Sequence, residues 1–308
     1  MSRAPRVTVV GEALVDLVIA PDGTVVAKLG GAPFNTARAA ARLDAPVTFV
    51  GALSTDRFGS MLAAQLEADD VNAVSARTDL PTTLSAAELD ESGAASYHFY
   101  IEGTSAPSLP PSDAGAVEPG ILFTGGLALG LQPMADSVLG IIDEADDSIL
   151  VVVDVNCRPK IVADRDAYLV TVRRALARAD VVKVSDEDLE YIHPGADSID
   201  AARRLLDNGP KVVLVTAGGA GTSIVTTDGV VEVPVGKLAA PVVDTIGAGD
   251  TFGGALVAWW HGAGLGRNGM THDALVRAVR AAHAAAAVVV TRQGADPPHR
   301  ADLPEDWN

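Results

Sequence analysis

A stretch near the end of the chain, Asp244 to Gly254, combines two carboxylates with a loop of very small residues. It reads Asp-Thr-Ile-Gly-Ala-Gly-Asp-Thr-Phe-Gly-Gly, and an apolar run of helical length follows it. Small residues leave backbone N–H groups unshielded, so a helix opening at Asp250 and Thr251 would make this loop an anion site. An anion site beside a carboxylate suits the transfer of a phosphoryl group to an alcohol. The alternative is an ordinary turn that Asp250 caps.

A second group of polar residues lies near the start of the chain. The run Gly30-Gly31-Ala32-Pro33-Phe34-Asn35 places two glycines before an asparagine at which we expect a helix to open. Paired glycines let a polyhydroxylated ligand approach the backbone, and an asparagine amide can both donate and accept hydrogen bonds. Asp16 could accept hydrogen bonds from vicinal hydroxyls. The alternatives are that Asn35 only caps its helix and that Asp16 is merely solvated.

Two further polar segments follow apolar strands, whose carboxyl ends face the ligand crevice in a parallel sheet. In Asp154-Val155-Asn156-Cys157-Arg158-Pro159, Arg158 could neutralise a phosphoryl group in transit, or lie on the surface beyond a capped strand. In Lys183-Val184-Ser185-Asp186-Glu187-Asp188, the carboxylates suit either water-mediated Mg²⁺ or the first turn of a helix. We interpret Cys157 as a packed small residue, because no basic partner is evident.

The glycine-rich segment from Thr216 to Thr222 also follows an apolar strand. Its backbone could lie against the phosphates or ribose of a nucleotide, or form only a flexible turn. His283, in the alanine-rich run Ala281 to Ala287, could lie at the edge of an adenine or pack in the core. The chain lacks a Walker A motif and has no Gly-x-Gly-x-x-Gly after its first strand, which disfavours Walker-type ATPases and dinucleotide dehydrogenases.

Apolar β-rich runs alternate with helical segments along most of the chain, which predicts a doubly wound, mostly parallel α/β sheet flanked by helices. The predicted buried strands are Val7–Val10, Val47–Leu53, Ile121–Phe123, Ile149–Asp154, Val181–Val184 and Lys211–Thr216. The predicted helices are Asn35–Leu43, Gly59–Glu67, Met134–Asp143, Asp166–Arg178 and Ile199–Asp207. Because ligands bind at the carboxyl ends of such strands, we expect the polar segments to converge there.

Two regions break this alternation and predict β-hairpins. One has β-rich runs on either side of Pro21-Asp22-Gly23, and the other has them on either side of Glu91-Ser92-Gly93. Hairpins do not join a parallel sheet easily, so we expect the two to pair with each other as a small antiparallel layer over the ligand edge. The alternative is a pair of edge hairpins without a functional role.

The composition excludes several classes of partner. The formal net charge of the 308-residue chain is -17, which repels nucleic acid and anionic membrane surfaces. Cys157 is the only cysteine, so no internal disulfide forms. The apolar run from Ala281 to Val290 is too short to cross a bilayer, and the N-terminus lacks a signal-peptide pattern. These observations lead us to expect a cytoplasmic protein.

Taken together and in this order, the segments resemble the ribokinase (PfkB) family of carbohydrate kinases across essentially the whole chain. The most specific match is the run from Asp244 to Asp250, and Gly30-Gly31 with Asn35 matches the second family signature. The resemblance implies one ribokinase-like α/β domain over residues 1–308, with a small β-sheet lid formed by residues 13–28 and 82–101. It also implies ATP and Mg²⁺, in many members a monovalent cation such as K⁺, and in many a homodimer through the lid.

The resemblance further implies roles for individual residues. Asp250 resembles the base that takes the proton from the attacking sugar hydroxyl, and Asp188 resembles a residue near the waters of Mg²⁺. The implied anion hole is Gly247, Ala248 and Gly249, and Arg158 lies near the phosphates. The implied sugar contacts are Asp16, Gly31, Asn35, Tyr97, Phe99, Asn156 and Asp250. The implied nucleotide contacts are Lys183, Ser185, Thr216, Gly218, Gly221, Gly249 and His283. The implied monovalent cation site is Asp244 with the backbone near Gly294.

Comparison with the patterns of family members narrows the range of acceptor substrates. Gly-Gly-Ala-Pro and Asp-x-Asn-x-Arg-Pro are fructokinase-like, so we predict transfer of the γ-phosphoryl of ATP to a hydroxymethyl group of a neutral sugar. 2-Keto-3-deoxygluconate kinases share the second motif. Members of both groups often have an arginine soon after the lid aromatics, and the run from Tyr97 to Glu102 offers none, so an acidic sugar would lack one expected counter-charge. The pattern also allows a ribokinase or nucleoside kinase, with Phe34, Phe99 or Tyr100 stacked on a base, or a sugar- or nucleotide-binding regulator without turnover. The family's Asn-x-x-Glu near Mg²⁺ is Ser-x-x-Asp here, ending at Asp188.

Overall fold

The computed structural model describes residues 6–90, 95–111 and 118–307. Within these residues the larger sheet is built from β1 (Arg6–Val10), β4 (Val47–Ser54), β5 (Asn72–Thr78), β8 (Gly120–Gly125), β9 (Ile149–Asp154), β10 (Val181–Ser185), β11 (Val212–Thr216), β12 (Thr222–Thr226) and β13 (Gly229–Val233). Their order is β13-β12-β11-β10-β9-β8-β1-β4-β5. The strands from β11 to β5 in this order pair in parallel, whereas β12 and β13 form an antiparallel edge. The predicted mostly parallel sheet is therefore present.

Helices cover both faces of this sheet. They are α1 (Ala32–Arg42), α2 (Arg57–Ala68), α3 (Met134–Glu144), α4 (Arg165–Arg178), α5 (Asp186–Ile192), α6 (Ser198–Leu206), α7 (Ala248–Gly262) and α8 (His272–Val289). Successive strand residues point to opposite faces: Val9 belongs to the core cluster that includes residues of α1, α2, α7 and α8, and Val10 belongs to the cluster that includes residues of α3 to α6. Among the described helices, none is both long and apolar enough to cross a membrane.

The sequence did not predict β5 or the β12–β13 edge. The first half of β5, from Asn72 to Val74, is exposed, and in β13 only Val233 is buried, so neither has the continuous apolar run of a buried strand. The helices predicted over 35–43, 59–67, 134–143, 166–178 and 199–207 are all present, with boundaries that differ by three residues or fewer. Boundaries move because capping residues outside the apolar run decide where a helix starts.

A small second sheet is formed by β2 (Leu14–Ile19), β3 (Val25–Gly30), β6 (Leu84–Leu89) and β7 (Ala95–Tyr100). Its order is β3-β2-β6-β7, and each predicted hairpin is antiparallel. The prediction of an antiparallel layer throughout was wrong, because β2 and β6 pair in parallel, with Val15 opposite Leu84. Both β2 and β6 follow strands of the larger sheet that end at the same edge, so the two run outward in the same direction.

The contact between α1 and α7 is unusually close. A Cβ atom added to Gly254 of α7 would lie 2.6 Å from both the carbonyl oxygen of Thr36 and the Cβ of Ala39 on α1. The neighbouring small residues Ala40 and Ala255 are fully buried in the same interface. Small side chains let two helix backbones approach, so this interface fixes the distance between the N-termini of α1 and α7.

We expect Gly254→Ala to destabilise the protein by about 1–3 kcal/mol, because the new methyl group overlaps the α1 backbone. Gly140→Ala in α3 is the matched control, since nothing lies within 4 Å of the added Cβ. There the helical preference of alanine should stabilise the fold by about 0.5–1 kcal/mol. Urea unfolding of both variants measures the difference, and equal effects of the same sign would contradict the packing argument.

Candidate active site

A cleft of about 890 Å³ lies between the carboxyl edge of the larger sheet and the small sheet. Its lining includes Glu12, Asp16, Gly31, Asn35, Tyr97, Phe99, Asn156, Arg158, Gly247 and Asp250. A neighbouring pocket of about 400 Å³ is lined by Thr216, Gly218, Gly221, Thr222, Phe252 and His283, among others. Lys183 and Gly249 line both spaces. The polar segments predicted to converge do so, and they divide into a polar cleft and a more apolar pocket that share one border.

The helix that follows the small-residue loop begins earlier than predicted. It starts at Ala248, with Gly247 as its N-cap, so Asp250 lies inside the first turn rather than opening the helix. Gly247 has φ of 77°, and a Cβ there would lie 2.6 Å from the Cβ of Ala295, so only glycine fits. The N–H of Ala248 already donates to the carbonyl of Thr245 at 3.2 Å. Anion binding by this loop would therefore depend on its glycine N–H groups more than on Ala248.

Asp250 is half-buried where α7 meets α1. Its Oδ2 accepts a hydrogen bond of 2.9 Å from Nδ2 of Asn35, and its backbone oxygen accepts one of 3.3 Å from the Thr36 hydroxyl. Burial raises the pKa of Asp250 to about 6, against the Asn35 hydrogen bond that lowers it, and the nearby Asp154 adds to the rise. A carboxylate whose pKa lies near neutrality is better matched to accepting a hydroxyl proton than an ordinary aspartate.

Asn35 does not cap its helix. Helix α1 begins at Ala32, with Gly31 as its N-cap, so Asn35 lies one turn inside. Its side chain is 7% exposed, and Oδ1 has no hydrogen-bond partner among the described residues. Because Nδ2 is held by Asp250, the amide orientation is fixed and Oδ1 can accept a hydrogen bond from a ligand hydroxyl.

The small sheet contributes an acid and two aromatic rings to the cleft. Burial raises the pKa of Asp16, while a hydrogen bond from Ser85 and the charge of Arg158 oppose the rise. The rings of Tyr97 and Phe99 stack with centroids 6.2 Å apart. Lys160 places its ammonium 5.9 Å from the centre of the Tyr97 ring, and it also lines the cleft. The sequence analysis missed Lys160, although its position two residues after Arg158 was the available signal.

The segment after β9 supplies the cationic side of the cleft. The guanidinium of Arg158 donates to Oδ1 of Asn156 and, at 3.0 Å, to the carbonyl of Cys157, so the two predicted polar residues contact each other directly. Asp154 forms a buried ion pair with Lys183, with Oδ2 and Nζ 2.8 Å apart. Lys183 therefore lies, paired with Asp154, at the border between the two spaces.

Most residues predicted to contact a nucleotide line the smaller pocket, but Ser185 does not. Nε2 of His283 lies 2.9 Å from the Thr222 hydroxyl, and burial lowers the histidine pKa, so a neutral ring faces the pocket. Thr216 donates its hydroxyl to the carbonyl of Val184 at 3.2 Å. An apolar, largely uncharged pocket of this size suits a planar base.

Ser185 and Asp188 form the capping box of α5. The Ser185 hydroxyl accepts from the Asp188 N–H, and Asp188 Oδ2 accepts from the Ser185 N–H at 2.8 Å. Asp188 Oδ1 accepts from the Cys157 N–H at 2.6 Å, which ties α5 to the loop after β9. Asp188 is buried and lines neither space, so a role near Mg²⁺ stays a prediction. Glu187, which the sequence analysis did not single out, is exposed and lines the cleft.

Asp244 and Gly294, 50 positions apart, meet in the fold. Oδ2 of Asp244 accepts from the Gly294 N–H at 2.9 Å, and Oδ1 accepts from the Ile246 N–H at 3.0 Å. The carboxylate thus joins the loop before α7 to the loop after α8. This brings together the two elements of the predicted monovalent cation site.

Fold and site together define a class of protein. A half-buried carboxylate in the first turn of a helix, between a polar cleft and a more apolar pocket, fits an α/β phosphotransferase. The model of the pfkB family of carbohydrate kinases matches residues 4–301, so the chain belongs to that family. The family and the ribokinase-like fold predicted from the sequence are thereby confirmed, and the chain is a phosphotransferase that acts on a sugar hydroxyl.

Relatives and solved structures agree with this assignment. A fructokinase from Rhizobium leguminosarum bv. trifolii is 34% identical over 257 residues, which are 80% of this chain and 77% of the relative. The structure of Xylella fastidiosa fructokinase with bound ATP has a TM-score of 0.86 and 26% identity, over 98% of this chain and 96% of that one. Vibrio cholerae O395 fructokinase (a double mutant), with fructose, ADP and potassium ion, has a TM-score of 0.85 and 27% identity, covering 96% and 95%.

The raised pKa of Asp250 predicts an acidic limb in the pH profile. Because the carboxylate must be unprotonated to accept a proton, kcat/KM for the sugar should fall about tenfold per pH unit below about pH 6. The measurement is steady-state turnover between pH 5 and 8, with enzyme returned to pH 7.5 afterwards to exclude irreversible unfolding. A flat profile down to pH 5 would show that Asp250 is not the base.

Proposed function

We propose that this chain transfers the γ-phosphoryl group of ATP to the hydroxymethyl group of fructose. The observation that carries the proposal is Asp250, placed by Asn35 at the border between a polar cleft and a nucleotide-sized pocket. One Asp250 oxygen would take the hydroxyl proton as the sugar oxygen bonds to phosphorus, and ADP would leave as its bond to the phosphoryl breaks. Lys183 and Arg158 would offset charge on the transferring group.

The polar cleft supports the sugar side of the proposal. Asp16 and Oδ1 of Asn35 are acceptors for sugar hydroxyls, and Gly31 allows close approach to the backbone. The stacked pair Tyr97 and Phe99 offers a flat apolar surface to the hydrogen-bearing face of a sugar ring. Vibrio cholerae fructokinase, whose chain is similar over nearly its whole length, has been solved with fructose and ADP bound.

A second candidate is a kinase for an acidic sugar such as 2-keto-3-deoxygluconate. The observation in its favour is Lys160, whose ammonium over the Tyr97 ring supplies a positive charge where no arginine follows the lid aromatics. A carboxylate substrate would pair with that ammonium. Fructose remains the first choice because the fructokinases resemble this chain over 80% to 98% of its length.

The nucleotide would bring Mg²⁺ with its phosphates. Hard oxygen ligands suit this ion, and Glu187 presents an exposed carboxylate in the cleft, whereas Asp188 has both oxygens bonded to backbone N–H groups. When bound, Mg²⁺ would neutralise phosphate charge. We also propose that Asp244 and the backbone near Gly294 hold a monovalent cation such as K⁺, because their direct hydrogen bond joins the loops on both sides of such a site.

Three further properties belong to the proposal. The small sheet would act as the lid of one domain and as the interface of a homodimer, since it exposes the apolar side chains Val25, Val26 and Tyr100. The net charge of -17 argues against nucleic acid as a partner. A kinase that consumes ATP and carries a single buried free thiol, Cys157, fits a cytoplasmic location.

Asp250→Asn should keep sugar and ATP binding but lower kcat by ~10²-fold or more, because the amide cannot accept the hydroxyl proton. Asp228→Asn, which removes an exposed carboxylate in the β12–β13 turn, is the control and should leave kcat unchanged. The assay is ADP release with fructose, ribose, 2-keto-3-deoxygluconate and a ribonucleoside.

The results of that assay distinguish the candidate functions from one another. ADP release that is fastest with fructose supports the proposal, and release that is fastest with the acidic sugar supports the second candidate. A wild-type chain that binds sugar by calorimetry yet releases no ADP with any acceptor would be a binding regulator. Near-normal turnover by Asp250→Asn would remove Asp250 from the chemistry.

Replacing K⁺ by tetramethylammonium should lower the activity of the wild-type enzyme several-fold, with full recovery when K⁺ is added back. Asp244→Asn should remove most of this dependence, because the amide lacks the charge that favours a cation over neutral solvent. The measurement is turnover at constant ionic strength, with Asp228→Asn again as the control. Equal activity of the wild type in both salts would rule out the cation site.

A further inference from the structure

Glu12 is a buried carboxyl group that no motif in the sequence assigned to the site. It follows β1 and is 2% exposed. Its Oε1 accepts a hydrogen bond of 3.2 Å from the N–H of Ala32, the first residue of α1. Its Oε2 has no partner among the described residues, although it is fully enclosed. A buried polar atom without a partner is costly, so it calls for a ligand group or a function.

The surroundings of Glu12 place it in the sugar side of the cleft. It lines the larger cleft with Asp250, Asn35 and Asn156, and a Cβ added to Gly126 would lie 3.1 Å from its Oε1. The carboxyl group is therefore held between the start of α1 and the segment after β8. This position is close to the sugar contacts and away from the pocket proposed for the nucleotide.

The charges around Glu12 decide its protonation. Burial raises its pKa to about 8, the backbone N–H groups of Glu12 itself and of Ala32 and the charge of Arg158 oppose the rise, and Asp250 adds to it. The other ionisable groups that face the same cleft are Asp16, Asp154, Lys160, Lys183 and Glu187, and Asp154 and Lys183 form an ion pair. At neutral pH the group is therefore mostly a neutral acid, whose Oε2 carries a hydrogen to donate.

We propose that Glu12 is a specificity-determining residue that donates a hydrogen bond from Oε2 to an oxygen of the bound sugar, while Oε1 holds the start of α1. The inference rests on the proposed sugar kinase function. Asp16 and Asn35 accept hydrogen bonds from sugar hydroxyls. Glu12 would complement them by donating a hydrogen bond to a sugar oxygen. A site with a buried donor rejects ligands that leave the donor unpaired.

The test compares Glu12→Met and Glu12→Gln in steady-state kinetics with fructose and ATP. Methionine keeps the length but removes both oxygens, so the KM for fructose should rise ~10–100-fold while the KM for ATP stays within ~2-fold. Glutamine keeps an acceptor for Ala32 and replaces the acid O–H by an amide N–H. It should rescue most of the loss, leaving a rise of ~3-fold in the KM for fructose.

The pH dependence separates a donor from a purely structural residue. Deprotonation turns the Oε2 donor into an acceptor, so the wild-type KM for fructose should rise as the pH increases through about 8. Glutamine does not titrate, so the KM of Glu12→Gln should stay level over the same range. A residue that only caps α1 would show no such difference. The acidic limb from Asp250 lies near pH 6 and does not overlap this range.

Thr8→Val is the matched control. Thr8 lies on β1, the strand that Glu12 follows, and it is fully buried. Its hydroxyl has no partner within the part of the chain that the structure describes, and it lines neither space. The KM of this variant for fructose should match that of the wild type. The proposal is overturned if Glu12→Met leaves the KM for fructose unchanged, if Glu12→Gln loses as much as Glu12→Met, or if the wild type and Glu12→Gln have the same pH profile above 8.

Failure of the proposed function gives a different result. In that case the wild type itself releases no ADP with fructose. The Glu12 variants are then compared by calorimetry with the sugar of the panel that binds most tightly. Weak binding by Glu12→Met together with near-normal binding by Glu12→Gln supports the donor role, and equal binding by both variants overturns it. Thermal unfolding of each variant shows whether Glu12→Met is folded. If it is not, the comparison of the pH profiles of the wild type and Glu12→Gln tests the donor role.

Discussion

The close packing of α1 against α7 is the constraint on which the rest of the site depends. Gly254 allows the two backbones to touch, and the first turns of both helices then meet at the carboxyl edge of the sheet. This contact brings Asn35 within 2.9 Å of Asp250, although 215 positions separate them in the chain. The hydrogen bond holds the proposed sugar-binding side of the cleft against Asp250, the proposed base. A small shift between these helices would move the proposed sugar-binding residue Asn35 away from the proposed base Asp250. Positioning of the sugar and transfer of its proton both require sub-ångström geometry.

Charge is balanced locally in a chain that is strongly acidic overall. The site gathers several carboxyl groups, and burial raises the pKa values of Glu12, Asp16, Asp154 and Asp250. Arg158 opposes the rise for each of them, and Lys183 pairs directly with Asp154. A site built in this way has cationic side chains where phosphate would pass and carboxyl groups of raised pKa where a sugar would bind. The cationic and the acidic side chains would thus bind an anionic phosphate and an uncharged sugar in different parts of a single cleft.

Much of the fold follows from local patterns. The continuous apolar runs that became β1, β4, β8, β9, β10 and β11 predict a parallel sheet, because strands covered on both faces bury every residue. The edges are less predictable, since β5 is partly exposed and β2 pairs with β6 in parallel rather than antiparallel. Helix starts also escaped prediction, because the φ of 77° at Gly247 and the N-cap at Gly31 set the first turns earlier than Asp250 and Asn35 suggested.

The sequence by itself determined the class of chemistry, because the run from Asp244 to Asp250 combines carboxylates and small residues in an order that few other folds need. Most of the residues that the sequence singled out line the two spaces. Only the tertiary structure decided how those residues act. It made Asn35 a partner of Asp250 instead of a cap and turned Asp188 toward backbone N–H groups. It also buried Glu12 with one oxygen that no group in the described part of the chain pairs. The physical reason is that hydrogen-bond partners and pKa values depend on which distant segments exclude water from a group, and a linear pattern does not contain those distances.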